Sequence, residues 1–99
     1  MLYMASKLLI KNLGVMITKH GNRFVAYSPA LDLATCAKSV KGAKKNFIEA
    51  ANLFLEEIFE SGKADDVLSE LGWNKVHKKW SPPKTVSSTS LGIKIPAFA

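Results

Sequence analysis

Nucleophilic chemistry in this 99-residue sequence would have to come from Cys36, His20 and His77, its one cysteine and two histidines. A thiol becomes a nucleophile when an imidazole, a helix N-terminus or another cation draws off its proton. Cys36 lies instead in the run Leu33–Lys38 (LATCAK), close to Ala34 and Ala37. A lone cysteine in such a run reads as a small buried hydrophobe. His20 belongs to a turn signal and His77 to a distant segment, and no spacing ties either to the thiol. No cysteine–histidine set has metal-ligand spacing. Phosphate-loop, dinucleotide-loop and nucleophile-elbow patterns are missing as well. Asp65 and Asp66 are adjacent, so on a helix they point apart and make a poor acid–base pair; they suit the start of a helix better. The expectation is therefore no catalytic, cofactor-binding or metal-binding residue, and no cofactor.

Two lysine groups remain as binding candidates. Lys75, Lys78 and Lys79 stand between Trp73 and Trp80, and aromatics can stack on bases while lysines neutralise phosphates. The competing reading is a strand with one tryptophan on each face, because 73 and 80 differ by an odd number, and at least one of them in the core. That reading is preferred. Lys41, Lys44 and Lys45 form the second group, at the start of a helical pattern. These six lysines are the candidate nucleic-acid or partner contacts.

The charge is segregated along the chain. Residues 1–48 carry +7, residues 49–71 carry −6 and residues 72–99 carry +5, for a net charge of +6. A uniformly basic protein points to nucleic acid, whereas a basic–acidic–basic order equally serves self-assembly or a charged protein partner. A solvated lysine surface is the third reading.

Length allows one domain. Apolar residues make up 47% and charged residues 22%, which excludes disorder throughout. No apolar run approaches the length of a spanning helix, and Lys7 and Lys11 interrupt the first 17 residues, so no signal peptide is read. An unpaired cysteine fits a reducing, cytoplasmic setting. So small a chain buries a thin core, and self-association is expected.

The elements follow from periodicity. Residues 1–12 show none and are read as an N-terminal arm. Leu13–Lys19 (LGVMITK) and Arg23–Ser28 (RFVAYS) are β-branched and apolar around His20-Gly21-Asn22, a hairpin with a loop of about three residues. Leu33–Lys38 is a third short strand, giving an antiparallel meander. From Ser39 to Ser61 the period changes: Val40, Ala43, Phe47, Ala51, Phe54, Leu55 and Ile58 recur at spacings of three and four, one apolar stripe of a long helix. Ser39 suits its N-cap and Gly62 its stop. Ile48 and Phe59 lie off that stripe. Lysines at the helix start and Glu56, Glu57 and Glu60 at its end oppose the helix dipole, at a cost that burial of Phe47, Phe54, Leu55 and Ile58 outweighs. Ala64–Leu71 reads as a second helix ended by Gly72, and residues 73–80 as a fourth strand. Residues 81–99 are a linker followed by a short alternating strand, Leu91–Ile95 (LGIKI).

Residues 13–61 carry a further pattern: LGVMI at Leu13–Ile17, VAYSPAL at Val25–Leu31, LATCAKS at Leu33–Ser39, then Ala43, Asn46, Glu49-Ala50 and LFLEEI at Leu53–Ile58. In order and spacing this resembles the HicB family of antitoxins, whose hairpin ends in a VAYxPxL phrase and whose N-capped helix carries an EA…LxLE phrase. The resemblance implies a β-β-β-α-β core related to a double-stranded-RNA-binding fold. It also implies neutralisation of a HicA-type mRNA-cleaving toxin, oligomerisation, and operator binding through a separate C-terminal domain. The sequence departs from the family where the helix starts: Ala37-Lys38-Ser39-Val40-Lys41-Gly42 is basic where members are acidic. Residues 73–99 also show neither a helix-turn-helix nor a ribbon–helix–helix pattern.

Together these readings give an α+β fold, a β-β-β-α-β core over residues 13–80 with one long helix on a small antiparallel sheet, plus a short C-terminal edge strand reaching towards a neighbouring subunit. Ile48, Phe59, Ile93 and Ile95 are the candidate oligomer contacts. The expected function is that of a non-catalytic HicB-like antitoxin or regulatory binding protein; the alternative is a basic nucleic-acid-binding oligomer without a toxin partner. No membrane partner is expected.

Overall fold

A computed structural model of the chain describes residues 11–97. The arm expected over residues 1–12 therefore lies outside the described residues, apart from Lys11 and Asn12. The fold is α+β. Three antiparallel strands, β1 (Met16–His20), β2 (Arg23–Ser28) and β3 (Leu33–Ala37), form a meander in that order. The helix α1 (Val40–Glu60) lies on one face of this sheet, followed by the short helix α2 (Ala64–Glu70) and a separate hairpin, β4 (Asn74–Val76) with β5 (Lys79–Ser81).

The first hairpin is tighter than the sequence suggests. His20 pairs with Arg23, so the loop is Gly21-Asn22 alone. Gly21 has φ +65° and Asn22 does not enter positive φ; glycine at the first of two central positions is the signature of a type II′ turn, whose twist matches the flanking strands. The β2–β3 connection turns through Pro29–Asp32, closed by Asp32 N–H donating to the Pro29 carbonyl at 3.3 Å. Asp32 takes φ +50°, a left-handed conformation that aspartate tolerates better than most residues.

Register then decides the faces. Ile17 opposes Ala26, and Ala26 opposes Thr35, so Ile17, Phe24, Ala26, Ser28, Leu33, Thr35 and Ala37 look towards the helix. Met16, Thr18, His20, Arg23, Val25, Tyr27, Ala34 and Cys36 look the other way. Helix α1 packs across β3 and β2 and leaves β1 largely uncovered. Ala26, Ala43 and Ala51 lie buried where it crosses, and such small side chains let helix and sheet approach closely. Phe47 and Ile58 are the large buried side chains of the stripe, each contributing about 1.5–3 kcal/mol of apolar burial.

Both ends of α1 follow the sequence. Ser39 is extended and its Oγ accepts from Gly42 N–H at 2.9 Å, which satisfies one of the helix's free donors. Gly62, with φ +77°, follows the C-cap. Gly42 costs helix stability for a steric reason: a Cβ there would stand 3.1 Å from Ala37 Cβ and 3.0 Å from Ser39 Oγ. The glycine lets the first turn sit against the end of β3. Val40, assigned to the apolar stripe by spacing, is instead exposed. Asp65 and Asp66 occupy the first turn of α2, while the N-cap position is Lys63 without a side-chain bond; they favour the positive end of the helix electrostatically rather than by capping.

Two sequence expectations for the C-terminal third are corrected. Residues 73–80 do not form a fourth strand of the main sheet. They fold back on themselves, because His77 (φ +53°) and Lys78 (φ +65°) are both left-handed, the geometry of a type I′ turn. This turn pairs Val76 with Lys79 and Lys75 with Trp80. Leu91–Ile95 is not a strand in the isolated chain. Residues 82–97 carry no regular element, and Leu91, Ile93 and Ile95 are among the exposed large apolar residues. Among the described residues the segment pairs with no strand.

Candidate functional site

The phrase that carries the family resemblance, Val25-Ala26-Tyr27-Ser28-Pro29-Ala30-Leu31, has a structural role at almost every position. Ala26 and Ser28 are fully buried under α1, and Leu31 and Ala30 belong to the core. Ser28 Oγ accepts from Ala30 N–H at 3.3 Å, which holds the chain as it leaves β2. Tyr27, on the opposite face, donates its hydroxyl to Asp32 Oδ1 at 2.9 Å. That hydrogen bond, then partial burial and the carboxylate's charge, raises the Tyr27 phenol above its ordinary value. The two ends of the turn are thus fastened on both faces of the sheet.

The thiol is not where the sequence reading puts it. Cys36 is exposed, not buried. Leu33, Thr35 and Ala37 take the covered side of β3, and the two-residue period sends Ala34 and Cys36 to the open side. His20 shares that open face and accepts or donates at 2.9 Å with Thr18 Oγ1. Val25 on β2 lies between Cys36 and Thr18 in the cross-strand row. Thr18 is therefore two strand spacings from Cys36, and His20 stands two residues further along β1, roughly 12 Å from Cys36 along the sheet, so β3 and β1 do not assemble a thiol–imidazole pair. His77 is in the turn of the second hairpin. The shallow hollows of the surface, one along Asp65–Glu70 and one between Lys11–Gly14 and Ser81–Thr85, contain neither Cys36 nor a histidine.

The six lysines separate into two places. Lys41, Lys44 and Lys45 lie in the first turns of α1, beside Ala37 at one end of the sheet. Lys75, Lys78 and Lys79 lie on the β4–β5 hairpin. That hairpin is tied to the opposite end of the sheet through Trp73, whose Nε1–H donates to the Ala30 carbonyl at 2.7 Å. Lys75 is further engaged by Asp65 at 3.2 Å and lies 5.5 Å from the centre of the Trp80 ring. Trp73 is buried and Trp80 half-buried, so neither is a free platform for a base; one tryptophan is in the core as expected, but the two do not share a strand, because Trp73 precedes β4 and Trp80 lies in β5. The sequence lacked a signal for this division, because the left-handed pair at 77–78 contains no glycine or asparagine.

Ile48 and Phe59 are exposed on α1, at 60% and 42%, and Ile93 and Ile95 on the C-terminal segment, at 78% and 76%. Their position relative to the sheet follows from one contact. Asn46 Nδ2 donates to the Cys36 carbonyl at 3.0 Å, which places Asn46 on the β3 flank of α1. At 100° per residue, Ile48, Leu55 and Phe59 fall about 180–220° from Asn46, on the flank above β1. No helix in the described residues is long and apolar enough to cross a membrane, and no cluster of three or more histidine, cysteine or acidic side chains among them is arranged to hold a metal ion. In comparisons with known proteins, no family model, curated protein or solved structure matches this chain.

Proposed function

We propose that this protein is a HicB-like binding protein that neutralises a HicA-type mRNA-cleaving toxin by occupying it as a partner. The observation that supports this reading is the coincidence of residues 13–61, which carry the resemblance, with one continuous unit. Strands β2 and β3 lie under α1 with β1 beside them, and the whole second face of the sheet is left without a covering element of the described chain. That face presents Met16, Thr18, His20, Arg23, Val25, Tyr27 and Cys36, a mixture of apolar and hydrogen-bonding side chains suited to a protein surface.

Direct nucleic-acid binding through the six lysines is the weaker alternative. The lysines stand at opposite ends of the sheet, the two tryptophans are engaged in packing, and Lys75 is already paired with Asp65.

The reading is tested by co-expression. A small basic reading frame with a catalytic histidine should adjoin this one. Its product should arrest growth alone, should be silenced by this chain, and should co-purify with it. Growth arrest that persists in the presence of this chain, with no co-purification, refutes the proposal. Retention on RNA that falls steeply with salt above about 50 mM would favour the alternative.

A further inference from the structure

Among the described residues, two apolar surfaces lack a partner, and they match each other. The first is the segment Leu91–Ile95. Its alternating side chains Leu91, Ile93 and Ile95 are 81%, 78% and 76% exposed, and on an extended chain all three project to one side while Gly92 and Lys94 project to the other. The second surface is the ledge formed by the outer edge of β1 and the neighbouring flank of α1. Among the described residues β1 pairs only with β2. Its Ile17 faces the helix side and is only half-buried against the core, because α1 crosses β2 and β3. The α1 flank above it carries Ile48, Leu55 and Phe59.

We infer that Leu91–Ile95 adds as a strand to the free edge of β1 in a second copy of this chain. Its apolar row then packs between Ile17 and the Ile48–Phe59 flank of α1. The five-residue segment matches the five-residue β1, and strand addition to an open edge satisfies backbone groups of both partners at once. The opposite edge is a poorer acceptor, because Asn46 already holds the Cys36 carbonyl. The donor's own edge is not the acceptor in the isolated chain. The linker that leads to the segment passes the foot of its own β1, where Thr85 Oγ1 lies against Gly14. Pro82-Pro83 stiffen its departure, and it then runs outward with its apolar side chains unpacked, in a molecule 60 Å long but only 28 and 20 Å across. Reciprocal exchange of two such segments makes a closed two-fold dimer, in which both copies bury what each leaves bare. This inference rests on the exposed rows and the free edge, and is independent of any toxin.

The test uses the full chain. Sedimentation equilibrium should show a dimer, and Ile93→Asp with Ile95→Asp should weaken dimerisation at least 30-fold while leaving the circular dichroism of the monomer intact. Ile48→Glu, at the other side of the contact, should weaken it at least 10-fold. To separate exchange from folding back, two populations are mixed in a Cys36→Ser background. One carries Lys94→Cys. The other carries Thr18→Cys, with Met16→Cys and His20→Cys as register variants; all these positions lie on the open face. A disulfide-linked heterodimer on mild oxidation supports the inference. It is overturned if the chain is monomeric at 100 μM, if the disulfide forms only when both cysteines are in one chain, or if the Asp variants leave the dimer unchanged.

Discussion

Trp73 is the residue that fastens the C-terminal third to the sheet, and its removal gives the sharpest test of the fold. The side chain is 8% exposed, and its Nε1–H donates to the Ala30 carbonyl at 2.7 Å across 43 residues of sequence. Trp73→Phe keeps an aromatic ring but takes away the donor. A buried carbonyl left without a partner costs about 1–3 kcal/mol, and the smaller ring adds roughly 1 kcal/mol of lost burial, so the expected loss is about 2–4 kcal/mol. A domain of this size unfolds in urea with a slope near the low end of the usual range, about 1 kcal/mol per molar. The midpoint should therefore fall by roughly 2 M or more. Trp80→Phe is the control. Trp80 is half-buried on the hairpin and donates no such hydrogen bond, so its replacement should cost only lost burial, less than about 1 kcal/mol of stability. In that background the single remaining tryptophan should emit at the short wavelength of a buried indole and shift to the red on unfolding. A Trp73→Phe midpoint within about 0.5 kcal/mol of the parent, inside the range of an ordinary surface substitution, would refute the role assigned to this hydrogen bond.

Four further outcomes follow from single contacts. Ser39→Ala removes the cap on Gly42 N–H and should cost about 1 kcal/mol in denaturant melts, whereas Ser39→Asp should cost little. Lys78→Gly relieves a left-handed side chain in the second hairpin and should stabilise by about 0.5–1 kcal/mol, read as a rise in melting temperature. Cys36 should react with an aromatic disulfide reagent in the folded protein nearly as fast as in urea, because it stands on the open sheet face; protection in the monomer would contradict the register of β3. Tyr27 should ionise above the usual phenol pH of about 10. Since its folded value is raised, its contribution to stability is complete below the unfolded value and is lost as the pH climbs through the folded one. Asp32→Asn should lower the midpoint of its ultraviolet titration, measured with Tyr3→Phe in the background.

Much of the architecture was written in local signals. Gly21-Asn22, the β-branched runs on either side of it, the change of period at Ser39 and the glycines at 62 and 72 each act within a few residues. Their effects on backbone geometry do not depend on the rest of the chain. The reversal at His77-Lys78 escaped this logic, because neither residue type asks for positive φ; the turn exists where Trp73 is fixed on Ala30 and the chain must then come back.

The side of a strand that meets the helix is a different kind of fact. Alternation divides Thr35 from Cys36, but it does not say which of them is covered. That was decided by where α1 lands, with Gly42 against Ala37 and Asn46 on the Cys36 carbonyl. The same placement sent the thiol to the open face, separated the two lysine groups and left the β1 flank of the helix bare. Amino-acid order alone determined the three-strand meander, the two helices and the ends of α1, since these are set by short-range backbone preferences. Only tertiary packing decided which residues meet, because a contact such as Trp73 with Ala30 joins parts of the chain whose mutual position no local preference encodes.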